Sequence, residues 1–105
     1  MTINFSMNCA ESDQRASLSL LRNLLDRLEK SVGTDHCKNV ELELYEKYED
    51  AANNGKMAVV RISSEKQVFV GDSLSKTWCD AMLNAFDFVQ QKIEAAMIKP
   101  IVAIL

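Results

Sequence analysis

The chain has 105 residues and a formal net charge of −3, and hydrophobic residues make up 48% of it and charged residues 26%. This composition is ordinary for one globular domain and excludes an intrinsically disordered chain. The slightly acidic balance gives the protein no general attraction to nucleic acid or to an anionic membrane.

The first half of the chain predicts a strand, a helix and a second strand. Residues 2–7 alternate in polarity, which is typical of a strand, and residues 11–13 can cap the element that follows. Apolar residues at helical spacing then form one stripe over residues 18–32, and Gly33 is suited to end that helix. Alternation resumes in residues 38–45, so we expect the second strand there.

The second half predicts a hairpin and a second helix. The segment EDAANNGK, residues 49–56, is typical of a loop. Residues 57–63 and 67–71 are rich in strand-forming side chains and are joined by a short connection, which indicates a hairpin. We expect the last helix to begin near Ser75 as its N-cap and to end at Pro100.

This order, β-α-β-β-β-α, predicts an α+β fold in which both helices pack on one face of a four-stranded mixed sheet. Only that arrangement buries every apolar face and stripe together, and the first two strands should be parallel. Residues 1–99 are expected to form a single domain, followed by an apolar tail of residues 100–105. Trp78 is interpreted as a ring that seals the edge of the core rather than as a ligand-stacking residue.

Three segments carry a family resemblance: LLDRLEKSVG at the end of the first helix, VELELYEK in the second strand, and VVRISSEKQVFVGDSLSKTWCDAM. The order, length and spacing of the elements in these segments resemble those of the ribosome hibernation-promoting factor family, also called ribosome-associated inhibitor A or sigma-54 modulation proteins. The resemblance covers residues 2 to about 97. Trp78 and Cys79 stand where the family carries a Met-Tyr pair.

The resemblance implies a non-enzymatic protein that binds ribosomal RNA of the small subunit and inhibits or modulates translation. A cytoplasmic location is expected from the cysteine pattern and from the lack of a secretory signal or membrane span in the sequence. Members of the family meet RNA phosphates with basic residues on the exposed faces of both helices. In this chain Phe88 and Gln91 stand near positions where the family is basic. The resemblance implies no cofactor, metal ion or small-molecule substrate, and it assigns RNA binding to Arg22, Arg27, Lys30 and Lys92.

A second hypothesis is a protein-interaction or self-associating module without RNA affinity. The sheet face away from the helices should carry a small apolar patch, and the chain ends in KPIVAIL. That tail either folds back on its own helices or adds to a neighbouring molecule. The interface of the resulting homodimer would include Tyr45, Val59, Phe69, Ile101 and Leu105.

The sequence does not predict a catalytic nucleophile, a metal site or a disulfide set. Asp35, His36 and Cys37 are the residue types of a nucleophile system, but consecutive residues rarely meet side chain to side chain, so we interpret them as a turn. The glutamates of the second strand are expected on a solvated face without a metal ion. The odd number of cysteines predicts neither a closed disulfide set nor a zinc site, and neither a secretory signal nor a membrane span is expected.

Overall fold

The computed structural model of the chain describes the backbone of residues 2–50 and 53–103 and the side chains of residues 2–47 and 55–97. The described residues follow the predicted order of strands and helices. These elements are β1 (Thr2–Met7), α1 (Glu11–Val32), β2 (Asn39–Asp50), β3 (Asn53–Ser63), β4 (Val68–Ser75) and α2 (Trp78–Ala103), with a 3-10 turn (Thr34–His36) after α1.

The strands form one mixed sheet in the order β1-β2-β3-β4. β1 is parallel to β2, whereas β2 and β3, and β3 and β4, are antiparallel. A parallel pair needs a long crossover connection, and α1 supplies it between β1 and β2. The predicted α+β fold class and the parallel first pair are therefore confirmed.

One cluster of buried apolar side chains joins both helices to a single face of the sheet. Leu42 of β2 and its partner Val60 of β3 are both fully buried in it. Leu25 at the middle of the α1 stripe is 5% exposed and Val89 of α2 is 0% exposed, so both predicted stripes face this core. The opposite side of β2, β3 and β4, called the outer sheet face below, carries Glu41, Glu43, Tyr45, Lys47, Gly55, Met57, Val59, Arg61, Val70, Asp72 and Leu74.

The end of α1 lies where the sequence predicts it. Gly33 follows the last helical residue with a φ of 88°, a value that side chains disfavour and glycine adopts freely. Its N–H donates to the carbonyl oxygen of Glu29 at 2.9 Å and so satisfies one of the free carbonyl groups at the helix end.

The start of α2 differs from the prediction. Thr77 Oγ1 accepts a hydrogen bond from the backbone N–H of Asp80 at 3.1 Å, so Thr77 caps a helix that begins at Trp78. The prediction that Ser75 is the cap is wrong, because Ser75 is the last residue of β4 and pairs with Lys56 of β3. The strand thus extends further than its apolar residues indicate.

The end of α2 also differs. The helix continues through Pro100 to Ala103, so the prediction that it ends at the proline is wrong. A proline inside a helix removes one hydrogen bond to the residue four positions earlier, here Ala96, which costs stability without forbidding the helix. Ile101 of the predicted tail therefore continues the backbone of α2, and Leu105 lies outside the described residues.

β2 and β3 are longer than predicted. Most of the predicted loop, residues 49–56, belongs to these strands, and Gly55 pairs with Lys47. A β carbon on Gly55 would lie 2.4 Å from Cδ1 of Leu74, so this glycine leaves room for a leucine of β4 rather than making a turn. Residues 51 and 52, which connect the two strands, lie outside the described residues.

The position of Phe69 corrects one predicted interface residue. Phe69 pairs with the core residue Ile62 and packs against the core, whereas its neighbour Val70 pairs with Arg61 on the outer sheet face. The side-chain period of a strand is two, so one residue more or less in the connection reverses the facing of the whole strand. The hairpin closes at Ser63 and Val68 across a four-residue connection, which turns Phe69 inward.

Candidate nucleic-acid interface

Three of the four predicted RNA contacts lie on the exposed face of α1. The buried stripe of α1 faces the core, and Arg22, Arg27 and Lys30 are exposed on the rest of its surface. Lys30 lies in the last turn, where a cation also interacts favourably with the helix dipole. The structure therefore places three exposed cations along one helix, with Arg22 and Arg27 about 140° apart around its axis.

Two of these cations, Arg22 and Arg27, have no competing partner among the described side chains. Arg22 and Arg27 form no ion pair with any residue in the described part of the chain. Lys30 pairs with Asp26 at 3.2 Å, and both side chains are more than two-thirds exposed. An ion pair so open to water is weak, so a phosphate group can compete for Lys30. Of these three cations, the two arginines are consequently the most available to a phosphate group.

Lys92, the fourth predicted contact, lies at a different part of the molecule. Its Nζ donates a hydrogen bond to the carbonyl oxygen of Val70 on β4, which is an edge strand of the sheet. α2 packs on β4 and β3 and also against α1. A single interface that includes Lys92 and the arginines of α1 must therefore extend over α2.

The exposed surface of α2 is less basic than that of α1. It presents Asn84, Asp87, Phe88 and Gln91 to solvent. Phe88 is 49% exposed, which is unusual for an aromatic ring on a helix that packs on a sheet. Unpaired bases of RNA stack on exposed aromatic rings, so Phe88 is a candidate base contact that the sequence interpretation missed. Its position outside the apolar stripe of α2 is the signal that could have identified it.

The start of α2 borders a cavity of about 500 Å³. Trp78 lines it and packs against the core, as predicted for a ring at the core edge. The ammonium group of Lys56 lies 5.1 Å from the centroid of the Trp78 ring, and it also pairs with Glu46. Asp13 adds a second carboxylate to this region and Lys76 a second ammonium group, so the local charges around the cavity balance.

The segment Asp35-His36-Cys37 does not assemble a nucleophile. Residues 34–36 form the 3-10 turn, and His36 Nδ1 is hydrogen-bonded to the carbonyl oxygen of Val32 at 2.8 Å. Cys37 is 1% exposed, and burial together with the nearby carboxylate of Glu29 raises the pKa of its thiol to about 11. A buried thiol that stays protonated is a poor nucleophile, and the predicted turn is confirmed.

The predicted protein-interface residues are dispersed. Tyr45 is half-buried and Val59 is 8% exposed, and both lie on the outer sheet face. Phe69 lies on the helix side, as described above. Among the described side chains no group of three or more His, Cys, Asp or Glu residues could hold a metal ion. None of the helices within the described ranges is long and apolar enough to span a membrane.

Comparisons with known proteins do not assign a family. No protein-family model matches the chain, and no curated protein sequence matches it. The fold class and the positions of the side chains are therefore the observations from which a function is proposed.

Proposed function

We propose that this protein is a non-enzymatic cytoplasmic protein that binds ribosomal RNA of the small subunit and modulates translation. The observation that carries the proposal is the pair Arg22 and Arg27, exposed on α1 and free of ion pairs within the described part of the chain. Guanidinium groups that face water are well suited to bind phosphate groups in two-pronged geometry. The arrangement of two helices on one sheet supports the proposal, because the family that the sequence resembles has the same arrangement and binds RNA through the exposed faces of its two helices.

The proposal predicts a modest salt dependence of RNA binding. Each phosphate neutralised on a single strand contributes about 0.7 to the slope of log affinity against log salt. With Arg22, Arg27 and Lys30 as the contacts on α1, we expect a slope of roughly −2, and Lys92 adds to it only if RNA also covers α2. Exposed carboxylates such as Asp26 and Asp87 weaken the attraction further.

Co-sedimentation with purified small ribosomal subunits over a series of salt concentrations tests the proposal. Replacing Arg22 and Arg27 together by Glu should abolish pelleting at a low salt concentration at which the unmodified protein pellets. Lys66→Glu combined with Lys76→Glu is the matched control, because it changes the net charge equally at two exposed lysines outside α1. Absence of pelleting at low salt, or an equal loss in both double variants, would contradict the proposal.

A second candidate is a protein-interaction module that acts through the outer sheet face. It is favoured by the cross-strand neighbours Tyr45, Met57 and Leu74, which form an apolar row over three strands on a face that no described helix covers. This candidate does not require RNA. A protein that fails to pellet with ribosomal subunits but associates through this face would favour it.

A further inference from the structure

The outer sheet face is organised in rows that run across the strands. Tyr45 of β2, Met57 of β3 and Leu74 of β4 are direct cross-strand partners, and they form the apolar row. Leu74 is 39% exposed even though its side chain lies over Gly55. Three large apolar side chains in register on a solvent-facing sheet are a candidate contact surface.

The rows on either side of the apolar row carry opposite charges. Toward one end lie Glu43, Val59 and Asp72, which are direct partners on the same three strands. Toward the other end lie Lys47 and its partner Gly55. In the described part of the chain, Glu43, Asp72 and Lys47 form no ion pair. The face is therefore acidic on one side of the apolar row and basic on the other.

We propose that the outer sheet face binds the same face of a second copy of this chain, with the two-fold axis along the apolar row. The inference deepens the second candidate function and rests on it. A two-fold axis in the plane between two stacked sheets can run along the row or along the strands. The charges of the flanking rows distinguish these two arrangements.

An axis along the row places the apolar rows of the two copies against each other and reverses the strand direction. Glu43 of each copy then lies opposite Lys47 of the other copy, which gives two ion pairs between the copies. An axis along the strands exchanges β2 with β4, so that Glu43 of each copy lies opposite Asp72 of the other. Like charges placed opposite each other in an interface are costly, so the first arrangement is favoured.

The size of the outer sheet face determines how strongly the two copies are expected to associate. From Glu41 to Lys47 the face is about 20 Å long, and three strands make it about 15 Å wide. A patch of about 300 Å² per copy is smaller than the roughly 800 Å² per partner of a standard interface, so we expect a weak dimer with a dissociation constant of about 100 μM or more. Arg61 and Glu41, whose side chains approach to 3.8 Å within one copy, lie beyond the acidic row at the rim.

Sedimentation velocity of the full chain over a concentration series tests the inference. The unmodified protein should shift from monomer to dimer as the concentration rises. Glu43→Lys alone and Lys47→Glu alone should each weaken the dimer at least about tenfold, because each places like charges opposite each other twice. An equimolar mixture of the two variants should restore dimerisation, since both pairs again have opposite sign. Asp87→Lys on the exposed face of α2 is the control and should leave the dimer unchanged.

Several outcomes overturn the inference. A protein that stays monomeric at every concentration rejects the dimer, and this result leaves the RNA-binding proposal untouched because pelleting tests it separately. A Glu43→Lys variant that dimerises more tightly points to the axis along the strands, where its new lysine faces Asp72. A mixture of variants that does not recover, or variants that dimerise normally, also rejects the proposed arrangement.

Discussion

The backbone of Gly71 on β4 lies directly against that of Ala85 on α2: a β carbon on the glycine would come within 2.2 Å of the Ala85 carbonyl oxygen. The same carbon would lie 2.9 Å from the backbone nitrogen of Val89. Because both obstacles are backbone atoms, no side-chain rotation can relieve them. This glycine therefore sets how closely α2 approaches the sheet, and with it the depth of the core.

Replacing Gly71 by Ala should destabilise the protein by about 1–3 kcal/mol, the usual range for forcing extra volume into a packed core. Chemical denaturation, at a concentration at which the protein is monomeric, measures this loss of stability. Gly55→Ala is the matched control: there the added carbon meets only the end of the flexible Leu74 side chain, so the loss should be within ~1 kcal/mol. Equal losses in the two variants would show that the distance between α2 and β4 adjusts freely.

The core itself is tested by Leu25→Ala. Leu25 is buried among both helices and the sheet, so the substitution should lower the free energy of unfolding by about 2–5 kcal/mol. Asn23→Ala on the exposed face of the same helix should stay within about 0.5 kcal/mol of the unmodified protein. A change as small for Leu25 as for Asn23 would mean that the buried face of α1 is assigned wrongly.

The start of α2 is tested by removing its cap. Thr77→Ala removes the acceptor for the Asp80 N–H and should cost about 1 kcal/mol of stability. Ser75→Ala, at the residue that the sequence suggested as the cap, should cost less because Ser75 lies in β4. Thermal or urea unfolding of the two variants measures the difference, and a larger loss for Ser75→Ala would reverse the assignment.

Features that depend on local periodicity could be predicted from the sequence, whereas features that depend on strand register could not. The stripe of α1, its end at Gly33 and the parallel first pair were predictable because they depend on local periodicity and on the length of a crossover. The facing of Phe69 was not, because it depends on the register of a hairpin, and one residue in the connection decides it. The length of β2 and β3 was hidden because Asn54-Gly55 is typical of a turn, whereas Gly55 pairs with Lys47 inside the strand pair.

The candidate interface shows the same division. That Arg22 and Arg27 face water follows from their places outside the apolar stripe of α1. That Lys92 lies at the β4 edge does not follow from its sequence position, since it depends on which backbone carbonyl group of the neighbouring strand its side chain reaches. Surface position can thus be predicted from periodicity, whereas the pairing of long charged side chains requires the tertiary structure.

The buried thiol of Cys37 predicts a pH dependence of stability. Its pKa is raised from 9.0 to about 11 in the folded protein, so between these values the folded state holds a proton that the unfolded state has lost. Stability should therefore be full below about pH 9 and fall by about 1–2 kcal/mol as the pH rises toward 11. Urea unfolding of the unmodified protein and of Cys37→Ala over this range measures it. The Cys37→Ala variant should lack the loss of stability that is due to the thiol. Identical pH profiles of stability for the two proteins would contradict the raised pKa of Cys37.

The last prediction separates stacking from charge in RNA binding. If an RNA base stacks on Phe88, then Phe88→Ala should weaken binding by about 1–3 kcal/mol and leave the salt slope unchanged, because no phosphate contact is lost. Replacing Arg22 and Arg27 together by Gln should instead make the slope less steep by about 1–2, since two phosphate contacts disappear. Titration of fluorescent single-stranded RNA fragments of the small subunit at several salt concentrations yields both quantities. Asn84→Ala on the exposed surface of α2 is the control for Phe88 and should leave affinity and slope unchanged. A slope that changes in Phe88→Ala, or an affinity that does not, would remove Phe88 from the interface.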